Sequence, residues 1–111
     1  MGFDVTGIDI AKGIVDYANK SFNLNAYYID FTKFQTDEKW DIIIMGDVIE
    51  HVFDPAVMIK KASEMLKDNG VLWVSTPNYQ SAFSEISGHK DPMRYEVSHI
   101  NYFSRDSLFM L

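Results

Sequence analysis

The stretch Trp40-Asp41-Ile42-Ile43-Ile44-Met45-Gly46-Asp47-Val48-Ile49-Glu50-His51-Val52-Phe53-Asp54-Pro55 decides how this chain folds. Its apolar run, Ile42 to Met45, is too short for a helix core and rich in β-branched residues. Such a run predicts a strand buried on both faces, because helices cover a parallel sheet above and below. Gly46 and Asp47 close it, which puts backbone and a carboxylate at the strand's carboxyl end, the edge where open α/β sheets bind ligands. Asp54-Pro55 then supplies an N-cap and a first-turn proline, so a helix follows at once.

Downstream, Val57, Met58, Ala62, Met65 and Leu66 share one face of a helix over 54–67, with Lys60, Lys61, Glu64 and Lys67 outside. Asn69-Gly70 is read as its stop. Val71 to Ser75 is the next strand, ended by Thr76-Pro77. Residues 78–98, with Gly88 and Pro92 inside, show no period and read as a long excursion over the sheet edge, a lid. A last helical turn or two starts at Ser104.

Upstream, Met1 to Ile8 reads as a strand running into Asp9. Ile14, Tyr17 or Ala18, and Phe22 recur at helical spacing after it, and Asn23 helps to end that helix. Ala26 to Ile29 is a short strand closed by Asp30, and a polar loop leads on to Trp40. Strands alternating with helices imply parallel pairing and right-handed crossovers, an α/β fold of about four strands.

The chain has 111 residues, which bounds it to a single domain over 1–111. Its 47% hydrophobic content supports a core, so disorder is disfavoured. A net charge of −6 argues against a general grip on nucleic acid. Without cysteine there is no disulfide frame, thiolate nucleophile or zinc ribbon. No run reaches membrane-spanning length, and the expectation is a cytoplasmic protein without a membrane partner.

Asp9, Asp30 and Asp47 each follow a strand. In one parallel sheet all three would line one crevice, where a carboxylate can accept both hydroxyl hydrogens of a ribose or an adenine amino group. Taken singly, each is more simply an N-cap or a solvated loop acid.

Gly7-Ile8-Asp9-Ile10, Tyr28-Ile29-Asp30-Phe31, Trp40 to Ile44 with Asp47-Val48-Ile49-Glu50-His51-Val52, and Asp68-Asn69-Gly70-Val71-Leu72 together resemble the class I S-adenosylmethionine-dependent methyltransferases. Glu50-His51-Val52-x-Asp54-Pro55 is similar to the small-molecule branch, which includes ubiquinone-pathway O-methyltransferases. His99-x-x-Tyr102-Phe103-Ser104-x-x-Ser107-Leu108 resembles a later segment of that branch. The resemblance implies a Rossmann-like sheet, S-adenosylmethionine as cofactor and a small-molecule methyl acceptor. It places the ribose hydroxyls on Asp9 and the adenine against Ile10, with the adenine amino group on Asp30 beside Phe31. Gly46, Asp47 and Val48 would stand near the methionine portion.

The family's glycine-rich loop precedes the residue matching Asp9, yet this chain has no G-x-G. The expectation is therefore a domain truncated at both ends, lacking the first strand, glycine loop and first helix, and the last two strands. Close backbone approach by such a loop is not replaceable by side chains, so weak or absent cofactor binding is expected of these residues alone. Without the family's central strand, two strand pairs remain. They either close up or are bridged by another copy, and uncovered apolar faces favour self-association.

His51 and His99 are the candidate catalytic residues. For His51, a partly buried ring holding a loop by hydrogen bonds is favoured over a base near the transferred methyl. For His99, beside Tyr102, both readings stay open. His89 reads as exposed lid. By spacing, no His/Asp/Glu set suggests a metal, because Glu50 and His51 are adjacent while His89 and His99 stand apart. Two other readings remain. Asp9 could serve a nicotinamide cofactor in an oxidoreductase, or the chain could be a non-catalytic, association-prone copy.

Overall fold

The computed structural model describes residues 2–94 and 96–111, so Met1 of the expected first strand and Tyr95 of the expected lid lie outside the described residues. The chain divides into two compact units, residues 1–37 and 38–111.

In the first unit, strand β1 (Thr6–Asp9) leads into helix α1 (Lys12–Phe22) and strand β2 (Asn25–Tyr28). The helix ends where Asn23 takes a left-handed backbone at φ 51°, a role Asn fills at low cost. Strands β1 and β2 pair in parallel, Thr6 opposite Asn25 through Asp9 opposite Tyr28. Asn19 on α1 then mimics a strand partner. Its amide donates to Ala26 O at 2.8 Å and its Oδ1 accepts from Ala26 N at 2.9 Å. Backbone groups that would otherwise be open on β2 are thereby satisfied.

The second unit carries strand β3 (Trp40–Gly46), helix α2 (Pro55–Met65), strand β4 (Leu66–Ser75), a short helix α3 (Ala82–Ser87) and helix α4 (Arg105–Phe109). Asp54 caps α2 as expected, its Oδ1 accepting from Val57 N at 3.0 Å. The helix does not run on to an Asn69-Gly70 stop; it gives way at Leu66 directly to strand. β3 and β4 pair in parallel, with a register break between Trp40 opposite Leu66 and Ile42 opposite Val71. Gly70 sits in that irregularity. A Cβ there would lie 3.0 Å from Trp40 O and 2.9 Å from Leu66 Cδ2, so the bulge closes only around glycine.

The strands thus form two two-stranded sheets, β1–β2 and β3–β4, rather than one. Burial along β3 also departs from the two-sided expectation. Met45 is buried with Met58, Ala62 and Met65 of α2, while Ile42, Ile44, Val71 and Trp73 are exposed. The exposed residues recur with period two, so they share one face of the sheet, and α2 covers the other. Residues 82–87, expected to be irregular, form the single turn and a half of α3. Ser81 caps it, accepting from Ser84 N at 3.1 Å. A helix this short carries no readable apolar period.

Candidate functional site

In the first unit the parallel pairing brings Asp9 and the residues after β2 to one carboxyl edge. Asp9 Oδ1 accepts from Ala11 N at 2.7 Å, a local turn that leads into α1, whose N-cap is Ala11 and carries no side-chain cap. Asp30 caps a 3-10 turn at Phe31–Lys33, taking Thr32 N at 2.8 Å and Thr32 Oγ1 at 2.7 Å on Oδ1. Asp30 therefore has the local capping role, whereas Asp9 makes only a two-residue turn bond ahead of the N-cap. A carboxylate offers about four lone-pair sites, so the single bond Asp9 accepts from Ala11 leaves it capacity for a ligand hydroxyl. Ile10 beside them is 73% exposed, an apolar side chain held in the open at the strand's end.

In the second unit the carboxyl edge of β3–β4 turns sharply. Asp47 adopts φ 52°, a left-handed backbone that Asp tolerates better than most residues. Its N–H donates to Ser75 O at 3.0 Å and its Oδ1 accepts from Ser75 Oγ at 3.4 Å. Gly46 precedes it, and a Cβ added there would meet Trp73 and Ser75 only at ordinary van der Waals distance. Val48 then leads into a 3-10 turn at Ile49–His51 that buries Ile49 and Glu50.

That turn is where the strap after β4 returns. Ile100 N and Asn101 N both donate to Glu50 O, at 2.9 and 3.0 Å. The Asn101 side-chain amide donates to Ile49 O at 3.2 Å and Val52 O at 2.6 Å. His51 Nδ1 meets Ser98 O at 2.9 Å, and a carbonyl only accepts, so that nitrogen carries the proton. His51 thus bonds a loop, but its side chain is exposed where a partly buried ring is expected. Thr76 Oγ1 donates to Glu50 Oε2 at 2.9 Å.

These ties draw His99 onto the turn, with its ring centroid 4.8 Å from that of His51 and 6.3 Å from that of Tyr102. The spacing argument that set His99 apart from Glu50 and His51 therefore needs correction. Ligand-capable atoms of the three lie within 4.8 Å of one another. A small cavity opens beside them, lined by Glu50, Tyr79, Met93, Arg94, His99 and Tyr102 among others. Sequence reading passed over Glu50, Thr76 and Asn101 as site residues.

The strap itself is stiffened by a polar knot. Ser84 and Asp91 are buried; Ser84 Oγ donates to Asp91 Oδ2 at 2.5 Å and accepts from Arg94 Nε at 2.8 Å. The Ser84 hydroxyl, the Met93 amide and the Arg94 charge hold the Asp91 carboxyl below its ordinary range, against the opposing effect of burial. A depressed folded-state pKa contributes stability above the ordinary value near 4 and loses it as pH falls through the depressed one. Thermal melts taken at falling pH are therefore expected to show the wild-type strap weakening below about pH 4. Asp91→Asn is expected to be less stable at neutral pH and to show a flatter acid limb. Identical acid limbs would refute the assignment.

Compared with known proteins, residues 1–109 match the model of a family described as "Methyltransferase domain". The chain is 31% identical over 83 residues to a ubiquinone biosynthesis O-methyltransferase of Pelagibacter ubique, covering 70% of this chain and 35% of that protein. It is 30% identical over 84 residues to the enzyme of the same name from Azorhizobium caulinodans, covering 70% and 33%. It is 30% identical over 83 residues to an (S)-coclaurine N-methyltransferase of Papaver somniferum, covering 75% and 22%. The chain spans about a third or less of the length of these curated relatives. Among the described residues, no helix is long and apolar enough to cross a membrane.

Proposed function

Since this chain belongs to the methyltransferase domain family, we propose that the protein it represents transfers a methyl group from S-adenosylmethionine to a small-molecule acceptor in the cytoplasm. The observation that carries the reading is the parallel pairing of β1 with β2, which sets Asp9 and Asp30 at one carboxyl edge. Asp9 would take the ribose hydroxyls, with Ile10 against the adenine, and Asp30 beside Phe31 the adenine amino group. Gly46, Asp47 and Val48 would serve the methionine portion, where the left-handed turn at Asp47 fixes the backbone. The incomplete Rossmann-like sheet of the resemblance, without its glycine loop, belongs to the same proposal.

Methyl transfer asks the protein chiefly to align acceptor, methyl and sulfur, with a proton acceptor where the nucleophile needs one. His99 is the better placed of the two histidines for that task, because it lines the cavity. His51 Nδ1 is committed to Ser98.

Saturation-transfer NMR on the 111-residue chain tests the reading. S-adenosylhomocysteine is expected to give a weak signal, with affinity far poorer than micromolar, that Asp9→Asn removes. NAD is expected to give none. A signal from NAD alone would favour the oxidoreductase reading, and silence with both the non-catalytic one. Micromolar affinity for S-adenosylhomocysteine would refute the expected impairment. A second proposal, self-association of the isolated chain, is supported by the exposed apolar face of β3–β4.

A further inference from the structure

We infer that the methyl acceptor is a carboxylic acid, and that Arg94 is the residue that selects it. Calling the bound acid an acceptor rests on the methyl-transfer reading; the anion site itself rests only on the strap that follows β4.

The Arg94 side chain is half-buried, its Nε donating to Ser84 Oγ at 2.8 Å and its Nη2 to the Tyr79 carbonyl at 3.3 Å. Two bonds in different directions fix the plane of the guanidinium, so this long side chain is ordered before a ligand arrives. A guanidinium has five N–H donors, and these ties use two of them. Among the described residues no ion pair joins Arg94 to a carboxylate. The acid of the same knot, Asp91, has both oxygens engaged elsewhere, Oδ2 by the Ser84 hydroxyl and Oδ1 by the Met93 amide at 2.9 Å. The two charges thus meet through a hydroxyl. A half-buried cation with donors to spare and no direct counter-charge favours an anion, and a carboxylate matches its planar fork with two parallel bonds.

Arg94 lines the small cavity together with Tyr79, Met93 and Tyr102. Both phenol oxygens are engaged within the chain, that of Tyr102 donating to Arg94 O and that of Tyr79 accepting from the Gln80 amide, each at 3.3 Å. These residues therefore offer a ligand chiefly aromatic and thioether surface, which suits a flat carbon body. Glu50 shares the lining and is 1% exposed. Its charge repels a second anion, so the acid end of a ligand is directed to Arg94. A phosphoryl group, with close to two charges, meets more of that repulsion than a carboxylate does.

Saturation-transfer NMR titrations of the full chain with benzoate, and with benzamide as its neutral match, test the site. Benzoate is expected to bind, and benzamide at least about tenfold more weakly. That comparison uses the unaltered chain, so it stands whatever a substitution does to folding. Arg94→Gln should weaken benzoate at least about tenfold. Arg94→Lys should restore only part of the loss, because lysine keeps the charge without the planar fork. Asp9→Asn should leave benzoate binding unchanged. Benzoate binding alongside silence from S-adenosylhomocysteine would sink the methyl-transfer reading and leave the acid site standing. No benzoate signal, benzamide binding equal to benzoate, undiminished binding by a folded Arg94→Gln, or displacement of benzoate by equimolar inorganic phosphate would overturn the site.

Discussion

Asn101→Ala is expected to lower the stability of the second unit by about 2–4 kcal/mol and to free His99 from the Glu50 turn. The Asn101 amide satisfies the carbonyls of Ile49 and Val52 together, and both bonds belong to a part-buried environment. Losing a donor to a buried carbonyl costs about 1–3 kcal/mol, and here one substitution removes two. For a domain of this size each kcal/mol moves the melting midpoint by about 4–8 °C. A fall on the order of 10 °C is thus expected in a thermal melt. Asn101→Asp separates hydrogen bonding from packing, since it keeps the shape but turns acceptors toward acceptors. It should be at least as destabilising as the alanine variant. If both variants melt within a degree or two of wild type, the amide does not hold the strap.

Ile44→Lys is expected to weaken self-association of the isolated chain at least tenfold while leaving its fold intact. Ile44 is 70% exposed, at the centre of a face it shares with Ile42, Val71 and Trp73. Burying such a side chain against a second copy is worth about 1.5–3 kcal/mol, and 1.4 kcal/mol is a factor of ten in affinity. A lysine on that face gains nothing by burial and repels its counterpart across a symmetric contact. Sedimentation velocity over a concentration series reads the effect directly. Unchanged association in the variant would move the contact off this face, and a wild type that stays monomeric would remove the proposal.

Much of the fold was legible from local chemistry. Apolar runs closing in Asp9 and Gly46-Asp47 located strand ends, Asn23 marked a helix end, and Asp54-Pro55 marked a helix start. What failed locally failed for tertiary reasons. Asn69-Gly70 is ordinarily a stop, but Gly70 lies in a bulged strand where an added Cβ would meet Trp40 O, a neighbour that only the pairing partner supplies. Ile42 and Ile44 have the composition of a two-sided core strand, and composition does not say which elements cover each face. The site was legible in part. Asp9 and Asp30 stand where their strands put them, though Asp9 also bonds the Ala11 amide and Asp30 caps the following turn. The meeting of Glu50, His51 and His99 left no local trace, because backbone bonds from Ile100 and Asn101 bring His99 in from far along the chain.

The tether at residue 50 has a bearing on how such a site can change. Both amides of the returning segment end on the main-chain oxygen of that position, an atom every amino acid carries. Attachment and reactivity are thus assigned to different parts of one residue. A swap of carboxylate for amide or thioether there would alter what the neighbourhood can bind while the anchorage persists. The backbone anchorage is thus separable from the side chain, while the Thr76 hydroxyl would lose its acceptor to a thioether there.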